Sequence, residues 1–313
     1  MSVAIDRPSG DMADLPVQLP RAPVGAAQAR ARFFNSGNAF DVKLPEVPAG
    51  RFDAPPDGAC GVFDCSQHEA LGCAFPATTP LMLARYVRIA ASESMAIDVR
   101  ATGAVWYVIA GEGRVGGVSP DIVFGAGDVF LLPGAPGYRF AAGPAGALLW
   151  TVGNEPQLAF DASRPPRPPD APVEPVHYPA AEIERQLALL LSMGTRDSTS
   201  GRALIFSSDR QEPARNLTPT LTLSFNTLAA HTHQRTHRHN AAAVTLVVQG
   251  EACHSMVDTV RCLWSPWATL VTPPGAPHSH HNAGDADARF LIVQDGGLHY
   301  HARTMGFAFL EDL

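Results

Sequence analysis

Residues 243–251 read Ala243-Val244-Thr245-Leu246-Val247-Val248-Gln249-Gly250-Glu251, and residues 104–112 read Ala104-Val105-Trp106-Tyr107-Val108-Ile109-Ala110-Gly111-Glu112. Each is a short run of β-branched, aliphatic and aromatic residues closed by Gly-Glu, the pattern of a buried strand that ends in a turn. The two align at an offset of 139 residues, and Pro133-Gly134-Ala135-Pro136 aligns with Pro274-Gly275-Ala276-Pro277 at an offset of 141. A loop between the matches absorbs the difference. The chain reads as two copies of one β unit.

Working outward, strand-like runs cover residues 81–89, 105–110, 129–132 and 147–152 in the first copy. Glycine- and proline-rich separators at 111–113, 125–128 and 133–137 divide them. In the second copy the runs are 203–206, 221–225, 244–248, 269–272 and 290–293. Between the copies, Arg164-Pro165-Pro166-Arg167-Pro168-Pro169-Asp170-Ala171-Pro172 favours extended polyproline II and reads as a linker. A helix is expected over 179–193, opened by Pro179, with Ile183, Leu187, Leu190 and Leu191 on one face and Gly194 as its stop. The expected organisation is an N-terminal arm (1–45), a first barrel (46–160), a linker and helix (161–200) and a second barrel (201–313).

Composition narrows the function. With 46% hydrophobic and 17% charged residues, 313 residues can bury a sizeable core. A net charge of -7 argues against nucleic acid, which needs a basic footprint. The apolar runs are too short to span a bilayer, and the first residues lack the basic-then-apolar order of a signal peptide, so a cytoplasmic protein with no membrane partner is expected. Cys60, Cys65, Cys73, Cys253 and Cys262 contain no C-x-x-C pair and read as reduced side chains. No G-x-G-x-x-G is present, so no nicotinamide or flavin is implied.

Ten of the 12 histidines lie between His231 and His301, a concentration that points to a site. In a strand, i and i+2 share a face, so His237 and His239 can converge on one ion. The turn in Pro273-Pro274-Gly275-Ala276-Pro277-His278 delivers a third imidazole. Three neutral imidazoles suit a divalent transition ion and leave coordination positions open. His280 shares the parity of His278 and is the acid/base candidate, while His281 should point away. His231 and His233 form another H-x-H, read as packing or surface residues, with support of the metal ligands as the alternative.

Arg235 is the preferred anchor for an anionic substrate, because Arg238 alternates with the two ligands and faces away from them. The alternation His299-Tyr300-His301-Ala302-Arg303 fits a strand whose histidines either rim the pocket or line a subunit contact. Trp106, Trp264 and Trp267 read as barrel core. Offsets of 139 and 141 place Asp98, Arg100 and Gly137 where the three histidines should be, so the first barrel is expected to be metal-free.

H-x-H, a Gly eleven residues later, and then P-x-G-x-x-H-x-x-x-N (Pro273, Gly275, His278, Asn282) resemble the two motifs of the cupins. The Glu usual after the first H-x-H is missing, since Ala243 and Val244 stand there. Cupins without it include ring-cleaving dioxygenases of the gentisate/salicylate type, which residues 231–295 also resemble in His-Arg-His, His280, Asn282 and Asp295. An Arg common in that group is replaced by Thr245, and the metal lies in the second barrel here rather than the first.

The resemblance implies a mostly β bicupin: two double-stranded β-helix (jelly-roll) barrels with a few short helices. It implies an Fe(II)-dependent, extradiol-type dioxygenase that opens a hydroxylated, hydroxybenzoate-like ring with O2, with His237, His239 and His278 on the metal and His280 catalytic. Arg235, His233, Thr245, Asp295 and His299 are the expected substrate-binding residues. A homo-oligomer, dimer or tetramer, is expected. Mn, Ni or Zn supporting redox-neutral isomerase, lyase or hydrolase chemistry, or a non-catalytic binding bicupin, are the alternatives.

Overall fold

The computed structural model describes residues 10–166, 170–195, 199 and 201–311. Residues 1–9 of the arm, Arg167-Pro168-Pro169 of the proline-rich run, and residues 196–198 and 200 lie outside them. The chain divides into two units, Met1–Pro45 and Glu46–Leu313. In the first, a 3-10 turn over Met12–Asp14 is capped by Asp11, and Gln18 bridges to Phe33.

The second unit holds both repeats. The first contributes β1 (Gly50–Phe52), β2 (Gly61–Cys65), β3 (Leu83–Ile89), β4 (Ser94–Gly116), β5 (Ile122–Gly125) and β6 (Val129–Gly153). β7 (Val176–Tyr178) follows, and then the helix Ala180–Leu191, which buries Ile183 and Leu187. The second repeat opens with β8 (Arg202–Phe206), β9 (Thr222–Leu228), β10 (Thr232–His233), β11 (His237–His239) and β12 (Ala243–Gln249). It continues through β13 (Cys253–Val257), β14 (Val260–Leu263), β15 (Thr269–Thr272), β16 (His278–Asn282), β17 (Ala288–Gln294) and β18 (Phe307–Phe309). No helix among the described residues is long and apolar enough to cross a membrane.

The second repeat forms two sheets, β1-β15-β12-β17-β9-β8 and β14-β13-β16-β11-β18 with β10 on β16. The first repeat forms one, β2-β3-β6-β4-β5 with β7 on β6. The repeats therefore trade edges: β1 precedes the first barrel in sequence yet pairs with β15, and β7 follows it yet pairs with β6. Strand alternation sends Tyr86, Tyr107, Leu131 and Trp150 toward Leu223, Val244, Leu246 and Leu291, so one apolar cluster joins both repeats. Tyr86 donates to the Trp267 carbonyl, and Trp150 Nε1 donates to Thr269 Oγ1 at 2.9 Å.

Three sequence expectations are corrected. Residues 133–137 do not separate two strands, because β6 is a single strand over Val129–Gly153. Its glycines bend the chain rather than end it: Gly137 and Gly146 lie at φ +72° and +76°, which lets β6 pair with β4 along two stretches. Residues 299–303 are not a strand, since Gly296–Ala302 is a helix. Gly297 packs so tightly that a Cβ would meet the Pro219 carbonyl at 2.6 Å, and helical spacing turns His299 and His301 to different sides.

The third correction concerns the repeat register. His237 pairs with His278 in the second barrel, and Ile97 pairs with Tyr138 in the first, so both members are 140 residues apart (97 to 237, 138 to 278). The positions matching the three histidines are thus Ile97, Val99 and Tyr138, not Asp98, Arg100 and Gly137. Asp98 and Arg100 lie on the exposed face. An irregularity between Val99 and Gly103 adds one residue to β4 and shifts the offset from 140 to the 139 visible downstream.

Candidate metal centre

β11 is a three-residue strand of buried–exposed–buried pattern, so His237 and His239 face inward and Arg238 faces out. Antiparallel pairing sets His237 directly opposite His278 at the start of β16. The turn before β16 is fixed to β11: Gly275, at φ +77°, donates its amide to the His239 carbonyl at 2.7 Å. One ligand atom from each of His237, His239 and His278 lies within 4.8 Å of the others. All three side chains are buried, at 5%, 8% and 3% exposure.

Each of the three imidazoles has its Nδ1 against a backbone carbonyl: His237 on Arg235 at 2.7 Å, His239 on Ala241 at 2.8 Å and His278 on Ala276 at 2.8 Å. A carbonyl only accepts, so each Nδ1 carries the proton and each Nε2 keeps its lone pair. Burial lowers the pKa of all three, that of His278 to about 2, so the rings stay neutral. This donor set fits a divalent transition ion.

His280, on the same face as His278, is buried and neutral, with its pKa lowered to about 3 chiefly by burial. Its Nδ1 lies 2.8 Å from Ser255 Oγ, which accepts from Trp264 Nε1 at 2.9 Å. Ser255 Oγ thus links the Trp264 indole to the His280 imidazole, and His280 Nε2 is left outside this pair. His280 Nδ1 is thus held by a hydroxyl, where the three clustered histidines are held by carbonyls. His281 points to the other face and stacks between His233 and His254.

The remaining predicted residues scatter around this group. Thr245 is buried in β12, opposite Leu270 and Ile292. Asp295 is buried at the end of β17, accepts from the Ala242 amide at 2.9 Å, and has its pKa raised by burial to about 7. His299 Nδ1 lies 3.0 Å from Asn240 Nδ2, outside the three-histidine group. Arg235 stacks its guanidinium 3.7 Å from the Phe309 ring centroid. Arg235 and His233 line a cavity of about 630 Å³ with Arg202, Asn226 and Phe290, and Phe290 also packs on His280. None of the three clustered histidines lines that cavity. A smaller groove of about 330 Å³ reaches His239, between Asn240, Gly275 and Phe307.

Sequence reading missed three neighbours. Gln294 Nε2 lies 3.2 Å from His239 Nε2, and its inward position follows from the parity of Phe290 and Ile292. Ser255 had no motif to mark it. Phe307 stacks on His237 at 5.3 Å because β18 returns to pair with β11, a long-range pairing with no local signal.

A family profile described as "Cupin domain" matches residues 225–294, the stretch from β9 to the end of β17 that carries all three histidines. Residues 225–294 are a cupin domain. Gentisate 1,2-dioxygenase of Ralstonia sp is 35% identical over 65 residues, 21% of this chain and 18% of that protein. 1-Hydroxy-2-naphthoate 1,2-dioxygenase of Nocardioides sp. (strain KP7) is 37% identical over 76 residues, 24% of this chain and 19% of that protein. The match thus spans less than a fifth of the length of either curated relative.

The fold likeness reaches further. Salicylate 1,2-dioxygenase from Pseudaminobacter salicylatoxidans superposes with a TM-score of 0.70 at 14% identity, over 87% of this chain and 91% of that one. Its gentisate adduct gives 0.69 at 14% identity, over 86% and 87%. The cupin domain is the second half of a bicupin fold.

Proposed function

We propose that His237, His239 and His278 hold one Fe(II) and that the chain is an extradiol-type dioxygenase opening a hydroxylated aromatic acid, hydroxybenzoate-like, with O2. The observation that carries this reading is the convergence of three neutral imidazoles, each with its Nδ1 proton occupied on a carbonyl, within the residues that match the cupin profile, in a chain of which 65 residues resemble gentisate 1,2-dioxygenase. Iron held by these three imidazoles would supply the Lewis-acid and redox chemistry of ring opening with O2.

The chain's own residues then bind and orient. His280, held through Nδ1 by Ser255, is the group that hydrogen-bonds a substrate oxygen through Nε2 and exchanges a proton with it. Arg235 at the 630 Å³ cavity offers a guanidinium for a substrate carboxylate, and His233 shares that wall. Trp264, Phe290 and Thr245 wall the barrel interior and keep water out. The first barrel holds no metal and serves packing.

Oxygen uptake by anaerobically iron-loaded protein, measured with a panel of hydroxybenzoates, tests the proposal. Uptake that requires both iron and one of these acids is expected. Turnover that needs a metal but consumes no O2 would replace the dioxygenase with a redox-neutral cupin enzyme.

A further inference from the structure

The carbonyls that hold the three Nδ1 protons belong to peptide units whose other ends differ. His237 donates to the Arg235 carbonyl, and the N–H of that same peptide, on Thr236, donates to Glu311 Oε2 at 2.9 Å. His239 donates to the Ala241 carbonyl, and the N–H of that peptide, on Ala242, donates to Asp295 Oδ1 at 2.9 Å. His278 donates to the Ala276 carbonyl, but the other end of that peptide is Pro277, which has no N–H. Two carboxylates thus reach two of the three histidines through one amide each, and the third amide is closed to any such partner.

The amide is conjugated, so an anion on its N–H shifts electron density onto its oxygen. A more negative oxygen holds the Nδ1 proton more strongly and makes Nε2 a better donor, as a carboxylate bonded directly to a ligating imidazole does. The arrangement arises twice from unrelated segments. Asp295 lies buried where β17 ends, and Glu311 follows β18, with its other oxygen 2.8 Å from His233 Nε2. The repetition of one geometry from two directions is what a shared role requires.

We propose that Asp295 and Glu311 are positioning residues of the metal centre, each acting through a single peptide unit to fix and strengthen one ligand, His239 and His237 respectively. This rests on the reading of the three histidines as a metal site. It moves Asp295 from the substrate wall to the support of a ligand, and it leaves His278 as the unassisted member of the set.

Asp295→Asn and Glu311→Gln each keep an oxygen to accept the amide N–H and remove only the charge. The probe is Co(II), titrated into metal-free protein at pH 8 against a competing chelator, with the Nδ1 protons of the Co(II) form followed by NMR. Each substitution should weaken Co(II) binding about 10-fold. Because they act on different ligands, the double variant should lose about 100-fold.

The NMR readout separates electronic support from scaffolding. Asp295→Asn should shift the Nδ1 proton of His239 alone, Glu311→Gln that of His237 alone, and neither should shift that of His278. Unchanged affinity in folded variants, or three protons moving together, overturns the inference while the metal site stands. Wild-type protein that binds no Co(II) overturns both. Should the buried Asp295→Asn substitution prevent folding, Glu311→Gln, at a partly exposed position, still decides the question.

Discussion

Ile97 faces Tyr138 in the first barrel at the place in the strand register where His237 faces His278 in the second. One strand on, Trp106 opposite Phe130 occupies the place of Thr245 opposite Leu270. In the first barrel Trp106 packs on Phe130 and Phe140 at 6.0 and 4.6 Å, Tyr138 donates to the Pro133 carbonyl, and the space beside Trp106 and Ile97 is only about 30 Å³. In the second, the same positions carry two imidazoles, a threonine and a leucine. The same strand scaffold yields a packed core or a lined site according to four inward side chains. The first barrel, free of any such polar cluster, can be filled with aromatic rings. The second buries four imidazoles and holds each Nδ1 on a carbonyl or on Ser255.

The largest expected effect comes from emptying the packed barrel. Trp106→Ala should cost about 3–5 kcal/mol of unfolding free energy, measured in denaturant, with metal content unchanged. A loss of bound metal in the folded variant would show that the barrels are coupled rather than divided in role. The reverse change, Thr245→Trp, imposes the first barrel's filling on the second. It should cost about 1–3 kcal/mol by overpacking and abolish oxygen uptake. Full uptake would mean that this face of β12 does not border the substrate.

Acid should act on the second barrel in particular. Burial lowers the four inward imidazoles, His278 to about 2 and His280 to about 3, while the unfolded chain protonates them near pH 6.5. The unfolded state therefore binds more protons below about pH 6.5, and metal-free protein should lose stability as pH falls from there, by at most about 1.4 kcal/mol per pH unit for each histidine. Asp295, raised to about 7, works in the opposite sense, because the folded state holds its proton up to that pH. Four groups outweigh one, so net acid destabilisation is expected from thermal unfolding at pH 7.5 and pH 5. A flat profile would contradict the buried neutral imidazoles.

Much of this contrast is legible in the sequence. The two β runs, the helix on Ile183 and Leu187, and the parity of His237, His239, His278 and His280 all follow from periods of 2 and 3.6. What was not legible depends on pairing at a distance. The extra residue in β4 between Val99 and Gly103 is invisible to an alignment anchored at Ala104, so Asp98 and Arg100 stand one place off the true matches Ile97 and Val99, and the proline match at offset 141 puts Gly137 one place before Tyr138. His299 and His301 alternate as a strand would, but Asp295 and two glycines start a helix wedged against Pro219 and Thr220. The carboxylates of Asp295 and Glu311 reach the peptides beside His239 and His237 only because β17 and β18 return to that end of the barrel, which no local pattern encodes.

The central claim is one metal per chain, held in the second barrel by three histidines, and elemental analysis of wild-type and His278→Ala protein tests it most directly. Iron at one equivalent per chain in the wild type, and none in a folded His278→Ala variant, is the predicted result. Full occupancy in that variant, or two equivalents in the wild type, would contradict the division between the barrels.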